Sequence, residues 1–377
     1  MRAYLDHAST TPLRPVARDA IVATYDGGGA DPGRIHAEGM TSRALLEDAR
    51  DRVAALLGAR SREVVFTSGA TESIATASFG AAERVADDEP VRVVASPVEH
   101  SAVREWAGRP WAGRGELVEV GVDRLGRIDA DELLDAVRPG TALVHVQWGN
   151  HEVGTLQPVE PVVERCRELG VLVHVDAAQA VGHVPVDFGS LGADLLSVSA
   201  HKFGGPPGTG ALLVRRGVRI PPLLVGGDQE RARRAGMEDV AALVGFAAAA
   251  EEVLDTLPDE AARQRALTDR VGAWVEATDG VHRLGDPDHR LPHLVCLGID
   301  GVEPQPVLLG LDQAGVAVHS GSSCSSESLE PSPVLAAMGV DAERSLRVSV
   351  GWSSSDDDVT RLLDALPVVL DRLRGLR

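Results

Sequence analysis

Lys202 is the only lysine among 37 basic residues, so the other 36 are arginine. Arginine can replace lysine wherever only charge matters. It cannot replace an amine that must lose its proton and attack a carbonyl. Lys202 lies in "SVSAHKFGGPPGTG", just after the apolar run 195–199. Other polar groups hold equivalent places. Thr71 follows the run 63–66, His100 follows 91–95, His151 follows 142–148, and Asp176 ends 171–175. Several reactive groups at the ends of successive apolar runs signal more than any one alone.

Each group has a chemical reading and a plain one. The turn "TSGAT", with Gly69, Ala70 and Thr71, leads from a strand into a helix. Its N–H groups, the positive helix end and the Thr71 hydroxyl suit a phosphate. It also serves as a simple cap, and no nucleotide fingerprint accompanies it. An acid after an apolar strand is buried and needs a partner. Asp176 either caps the helix starting near Ala177 or pairs with a pyridinium nitrogen. A Schiff-base lysine, an acid for a ring nitrogen and a phosphate cradle are together the parts of a pyridoxal-phosphate site. The plain alternative is that one lysine survived by chance. Cys324, in "HSGSSCSSES", is either an incidental thiol in a Ser/Gly linker or a nucleophile on a loop tethered at both ends. Arg347, in "SLRVSVG", is either a surface cation or a bidentate partner for a substrate carboxylate. Cys166 and Cys296 read as ordinary buried residues.

These groups require a scaffold that lines up strand ends. Between about 60 and 215, Val-rich runs without polar alternation alternate with helical patterns such as "VEPVVERCRELG", which Gly170 would terminate. That pattern predicts an α/β fold: a large domain with a mainly parallel central sheet flanked by helices. Ligands sit beyond the carboxyl ends of such strands. The large domain is expected over 16–257. A smaller α+β domain is expected from 1–15 and 258–377, with the cysteine loop at about 319–332. "AALVGFAAAAEEVL" joins the two, and near 257 the sequence changes to a long polar-faced helix, "LPDEAARQRALTDRVGAWVEA".

Composition narrows the function. The net charge of −19 disfavours direct contact with nucleic acid or anionic membranes. "MRAYLDHASTTPL" is interrupted by Asp6 and does not read as a signal peptide, and no run of about 18 apolar residues is present. The three cysteines show no pairing or metal-ligand spacing. No metal site is expected, and a reducing, cytoplasmic setting follows.

"YLDHASTTP", "FTSGATES", "EHSAV", "NHEVGTLQP", "HVDAAQAVG", "SVSAHKFGGPPGTGAL" and "SGSSCSSESLEPSPVL" run in the order and spacing of the cysteine desulfurases. These are pyridoxal-phosphate enzymes of the class V aminotransferase group, fold type I. The serine-flanked cysteine followed by "SLEPS" resembles the subgroup with a longer catalytic loop. The resemblance implies that Lys202 holds the cofactor through a Schiff base and moves the Cα proton. His100 stacks on the ring, Asp176 pairs with its nitrogen, and Gln179 approaches its hydroxyl. Thr71, Ser199 and His201, with Gly69 and Ala70, hold the phosphate. Arg347 and Asn150 meet the L-cysteine substrate, and Cys324 takes its sulfur as a persulfide, releasing alanine. A sulfur-acceptor protein (an iron–sulfur scaffold, a thiolation enzyme or a sulfur carrier) and a homodimer are also implied.

The chain departs from the family pattern in places. His151 stands where a second asparagine is usual, beside the ring. Met237 replaces a threonine that reaches the partner's phosphate, and Ile74 and Ala75 replace an asparagine pair. Two alternatives stay open: another class V enzyme (aminotransferase, epimerase or selenocysteine lyase), or a sulfur-pathway scaffold without turnover.

Overall fold

Residues 2–320 and 331–375 are described by the computed structural model. Twelve strands occur among them: β1 (Ala3–Tyr4), β2 (Val64–Thr67), β3 (Val91–Ala95), β4 (Gly115–Glu119), β5 (Thr141–Gln147), β6 (Val173–Asp176), β7 (Leu195–Ser199), β8 (Gly210–Val214), β9 (Val281–Leu284), β10 (Leu294–Ile299), β11 (Val316–Ala317) and β12 (Ser345–Ser349). The Val-rich runs become strands buried on both faces, because branched side chains fit a pleated surface covered by helices.

Seven strands form the main sheet in the order β2-β8-β7-β6-β5-β3-β4. Only β8 runs against its neighbours; the pairs among β7, β6, β5, β3 and β4 are parallel. The carboxyl ends of β2, β3, β5, β6 and β7 therefore share one edge. Register fixes what meets there, with Gln147 opposite Asp176 and Asp176 opposite Ser197. β4 is an edge strand with a mostly exposed face. It lacks the apolar run that marks the others.

Helices cover both faces: α1 (Pro15–Asp26), α2 (Ala37–Leu56), α3 (Ala70–Ala82), α4 (Ser101–Ala107), α5 (Ala130–Ala136), α6 (Val159–Leu169) and the one-turn α7 (Phe188–Leu191) and α8 (Gln229–Ala232). Alanines and serines bury most of α3, so it lies close on the sheet. Gly170 adopts the left-handed conformation at the end of α6, the role glycine fills without a Cβ penalty.

The change of composition near 257 falls inside a single helix. α9 (Val240–Glu276) is one 37-residue helix with Pro258 inside it. Its first half buries Phe246, Ala247 and Ala250 in the main core. Its second half buries Leu267, Val271 and Val275 in a second core. One rod serves both cores. Pro258 is tolerated inside it at an exposed position. The second core also contains Ala3, Leu5 and residues of β10, β12, α10 (Pro304–Gln313) and α12 (Asp356–Arg374). A small antiparallel sheet, β12-β10-β9, and the parallel pair β1-β11 complete it. α11 (Pro333–Ala337) packs at the junction through Val334 and Leu335.

Candidate active site

A cavity of about 420 Å³ opens at the shared strand edge. Gly69, Ala70, Thr71, His100, His151, Asp176, Gln179, Ser199, His201, Lys202 and Arg347 all line it, although they come from six separate places in the chain.

Lys202 ends the 3-10 turn that follows β7. Its Nζ donates to the carbonyls of Ala8 at 2.7 Å and Ser9 at 3.0 Å. Gly182 supports this turn from behind: its φ is +85°, and an added Cβ would lie 2.3 Å from Phe203 Cβ. Only glycine allows that approach.

Asp176 sits at the end of β6, buried, with Oδ1 accepting the Ala178 N–H at 3.0 Å. Burial raises its pKa, and His100 and Lys202 partly oppose this. No ion pair neutralises it among the described residues. A buried carboxyl of this kind suits a cationic ring nitrogen, which would compensate its desolvation. His100 is the N-cap of α4, and its Nδ1 accepts the Ala102 N–H at 3.1 Å. With Nδ1 accepting, the ring carries its proton on Nε2. His151 meets it edge to face, with ring centroids 5.3 Å apart.

The turn before α3 fits a phosphate. Gly69 holds the N-cap with φ +147° and no side chain to cap the helix, leaving the first-turn N–H groups to a ligand. Thr71 and Ser199 add hydroxyls to the same wall. His201 Nδ1 lies 3.2 Å from Thr10 Oγ1. Burial, with the adjacent Lys202 amine, pushes its pKa down to about 4. An amine, a buried acid, an aromatic lid and an open helix N-terminus together fit pyridoxal phosphate.

Arg347 on β12 reaches the cavity from the second core. Its Nη1 donates to His151 O at 2.9 Å, and its Nη2 to Ser9 Oγ at 2.7 Å and Asp6 Oδ1 at 3.0 Å. The guanidinium is buried and held in a fixed plane, the geometry that bidentate carboxylate binding needs.

Asn150 is placed differently from the expectation. It is fully buried and does not line the cavity. Its amide donates to Val98 O at 3.0 Å and accepts the N–H groups of Glu152 and Val153 at 2.9 and 2.8 Å. It builds the turn that presents His151. Met237 is exposed beside a smaller adjoining hollow with Ser68 and Arg234. Cys324 lies outside the described residues. On one described flank Arg347, which lines the cavity, donates its N–H to His319 O at 2.7 Å, and on the other Ser332 Oγ donates to Glu152 Oε2 at 2.8 Å. Among the described residues no cluster suits a metal ion.

Strand-end reasoning missed Ala8, Ser9 and Gln147, all cavity-lining, and Asp6, which holds Arg347. Gln147 ends β5 and had the same positional signal as Asp176. The segment 6–9 arrives from the far end of the chain and acts partly through main-chain carbonyls.

A model of the aminotransferase class-V family matches residues 3–362. A Mycobacterium tuberculosis protein named "IscS-like cysteine desulfurase" is 41% identical, with 99% of this chain and 97% of that protein aligned. A "Cysteine desulfurase IscS" of Dictyoglomus turgidum is 39% identical, covering 99% and 95%. Among solved structures, a "NifS-like protein" superposes with a TM-score of 0.92 at 31% identity, covering 99% of this chain and 100% of the other.

Proposed function

The chain belongs to the class V aminotransferase family, among its pyridoxal-phosphate-dependent cysteine desulfurases, and we propose that it takes sulfur from L-cysteine through Cys324 and passes it to an acceptor protein. One observation carries this reading: Lys202, Asp176, His100 and Arg347 meet in one cavity, at the ends of strands and helices that the sequence brings from distant positions.

Pyridoxal phosphate, when bound, supplies a carbonyl for the Lys202 amine and an electron-withdrawing ring that eases removal of a substrate Cα proton. The protein's own residues do the rest. Asp176 would keep the ring nitrogen protonated. His100, with its proton on Nε2, would cover the ring. The amides of Ala70 and Thr71, with the Thr71, Ser199 and His201 side chains, would hold the phosphate. Gln179 would meet the ring oxygen. Arg347 grips the substrate carboxylate and orients the Cα–H toward the Lys202 amine, which takes that proton and returns one to carbon. The Cys324 thiolate takes the sulfur atom as the Cβ–S bond breaks. The electron pair of that bond returns to carbon, which becomes the alanine methyl. L-cysteine and the enzyme thiol thus give L-alanine and an enzyme persulfide, with no external oxidant.

Exposed apolar residues Ile35, Met40, Val225 and Met237 support a homodimer. No helix among the described residues is long and apolar enough to cross a membrane, and Cys166 and Cys296 are free thiols. Both facts support a cytoplasmic setting.

Mass spectrometry after incubation with L-cysteine tests the proposal. Added sulfur on Cys324 with release of alanine is expected, and Lys202→Arg should abolish both. Keto acid without alanine would point to another class V reaction. No turnover above free pyridoxal phosphate would point to a scaffold.

A further inference from the structure

Behind the cavity wall, two histidines lie face to face. The rings of His183 and His293 stack with centroids 3.5 Å apart and planes 15° from parallel. Both are buried. His183 follows β6 in the main core, and His293 precedes β10 in the second. His183 Nε2 lies 3.2 Å from Lys202 O, and its Nδ1 lies 2.9 Å from Gln264 Oε1. His293 Nε2 lies 3.1 Å from Gln179 Oε1. Gln179 Nε2 donates at 2.8 Å to Ala8 O, the same carbonyl that accepts from Lys202 Nζ.

Donor and acceptor rules fix the arrangement. A carbonyl only accepts, so His183 carries its proton on Nε2. Burial keeps its ring neutral, so that proton is its only one, and Nδ1, which faces Gln264 Oε1, could bond Gln264 only with the amide turned to present its nitrogen. Ala8 O likewise requires the nitrogen end of Gln179, which leaves Oε1 facing His293. His293 Nδ1 bonds no group among the described residues, so its proton sits on Nε2 and is donated. Flipping the Gln179 amide would set oxygen against oxygen at Ala8 and cost a hydrogen bond at His293. Gln179 keeps one N–H that neither neighbour uses, and it lines the cavity.

We infer that His293, braced by the face of His183, is a positioning residue that locks the Gln179 amide so that its remaining N–H is offered to the cofactor's ring oxygen. This rests on the cofactor reading above. It assigns this stacked pair, away from the strand-end groups, the task of deciding which polar atom Gln179 presents.

The test uses full-length protein titrated with pyridoxal phosphate, comparing wild type with His293→Leu, His293→Asn, Gln179→Leu and the double leucine variant. Asparagine can still donate to Gln179 Oε1; leucine cannot. His293→Leu is expected to weaken cofactor affinity about tenfold, the worth of one well-placed hydrogen bond, and to move the visible absorption band. Gln179→Leu should do the same, the double variant no more than either, and His293→Asn should recover most of the loss. A His293→Leu protein that binds like wild type, or additive losses in the double variant, overturns the inference. Wild type that binds no cofactor overturns the functional reading instead, and this inference with it. If His293→Leu does not fold, nitrogen-15 histidine NMR of cofactor-free wild type decides. A proton on His293 Nε2 whose signal shifts in Gln179→Leu supports the inference; a proton on Nδ1 overturns it.

Discussion

Arg347 shows how much of the chemistry depends on a side chain's shape as well as its charge. His151 O, Ser9 Oγ and Asp6 Oδ1 fix the plane of its fork before a substrate arrives. Lysine in its place keeps the charge and loses the fork. Arg347→Lys is expected to raise KM for L-cysteine by about 10- to 100-fold, the range for losing a charge-assisted hydrogen bond. The cofactor absorption band should stay unchanged. A steady-state KM with that band recorded alongside checks this, and an unaltered KM would rule it out. Arg347 itself was only half legible in the sequence, because one arginine among 36 carries little signal. Lys202 was legible because it is unique, and Asp176 and His100 because apolar runs end at them. Ala8 and Ser9 were not, because a main-chain carbonyl has no residue signature. Asn150 suited a ligand by type, yet the turn after β5 takes its whole amide.

The segment around α8 flanks the cavity and is held by one buried ion pair. Glu230, Arg231 and Ala232 have φ of +49°, +59° and +59°, a left-handed stretch costing roughly 1–2 kcal/mol per residue. Arg50 grips Glu230 with two hydrogen bonds of 2.7 Å, and Glu230 also accepts the Phe66 N–H at 2.8 Å. Both side chains are buried. Arg50→Ala would strand the carboxylate, at about 3–5 kcal/mol, and release a loop that carries Met237. Urea unfolding should show that loss, whereas pairing Arg50→Met with Glu230→Leu should recover most of it. If Arg50→Ala unfolds at the wild-type midpoint, the pair does not hold the segment. None of this was readable in "ERARRAGMED", where positive φ at non-glycine residues depends on a partner 180 positions away. The parallel sheet was readable because it follows from local runs. The continuity of α9 was not, since a change of composition at 257 looks the same whether a chain turns or one rod passes between two cores.

Across the whole molecule, buried titratable groups set the pH response. Burial pushes His7 and His183 down to about 4 and His145 to about 3, with His174 and His293 also well below their usual value. Burial pushes Glu99 the other way, to about 8. Unfolded histidines take up protons below about pH 6.5 while these folded ones stay neutral. Their contribution is whole above 6.5 and declines as pH falls toward 4. Glu99 keeps a proton that the unfolded chain releases above about pH 4.5, so its contribution declines as pH rises toward 8. The histidines outnumber it below 6.5, and among these groups it acts alone above. The cofactor-free protein is therefore expected to be most stable near pH 6.5–7, with a steep loss by pH 5.5 and a shallow one by pH 8. Urea midpoints from pH 5 to 8.5 would refute this if they peaked at the acid end. The N-terminal strand has a different consequence. β1 pairs with β11, Ala8 and Ser9 receive the Lys202 amine, and Asp6 meets Arg347 across 341 positions. On the ribosome, residues 3–9 emerge long before their partners. A nascent chain halted before β11 has β1 without its partner strand, and one halted before Arg347 has Asp6 without its guanidinium partner. Until β11 is made, β1 must be kept from pairing elsewhere.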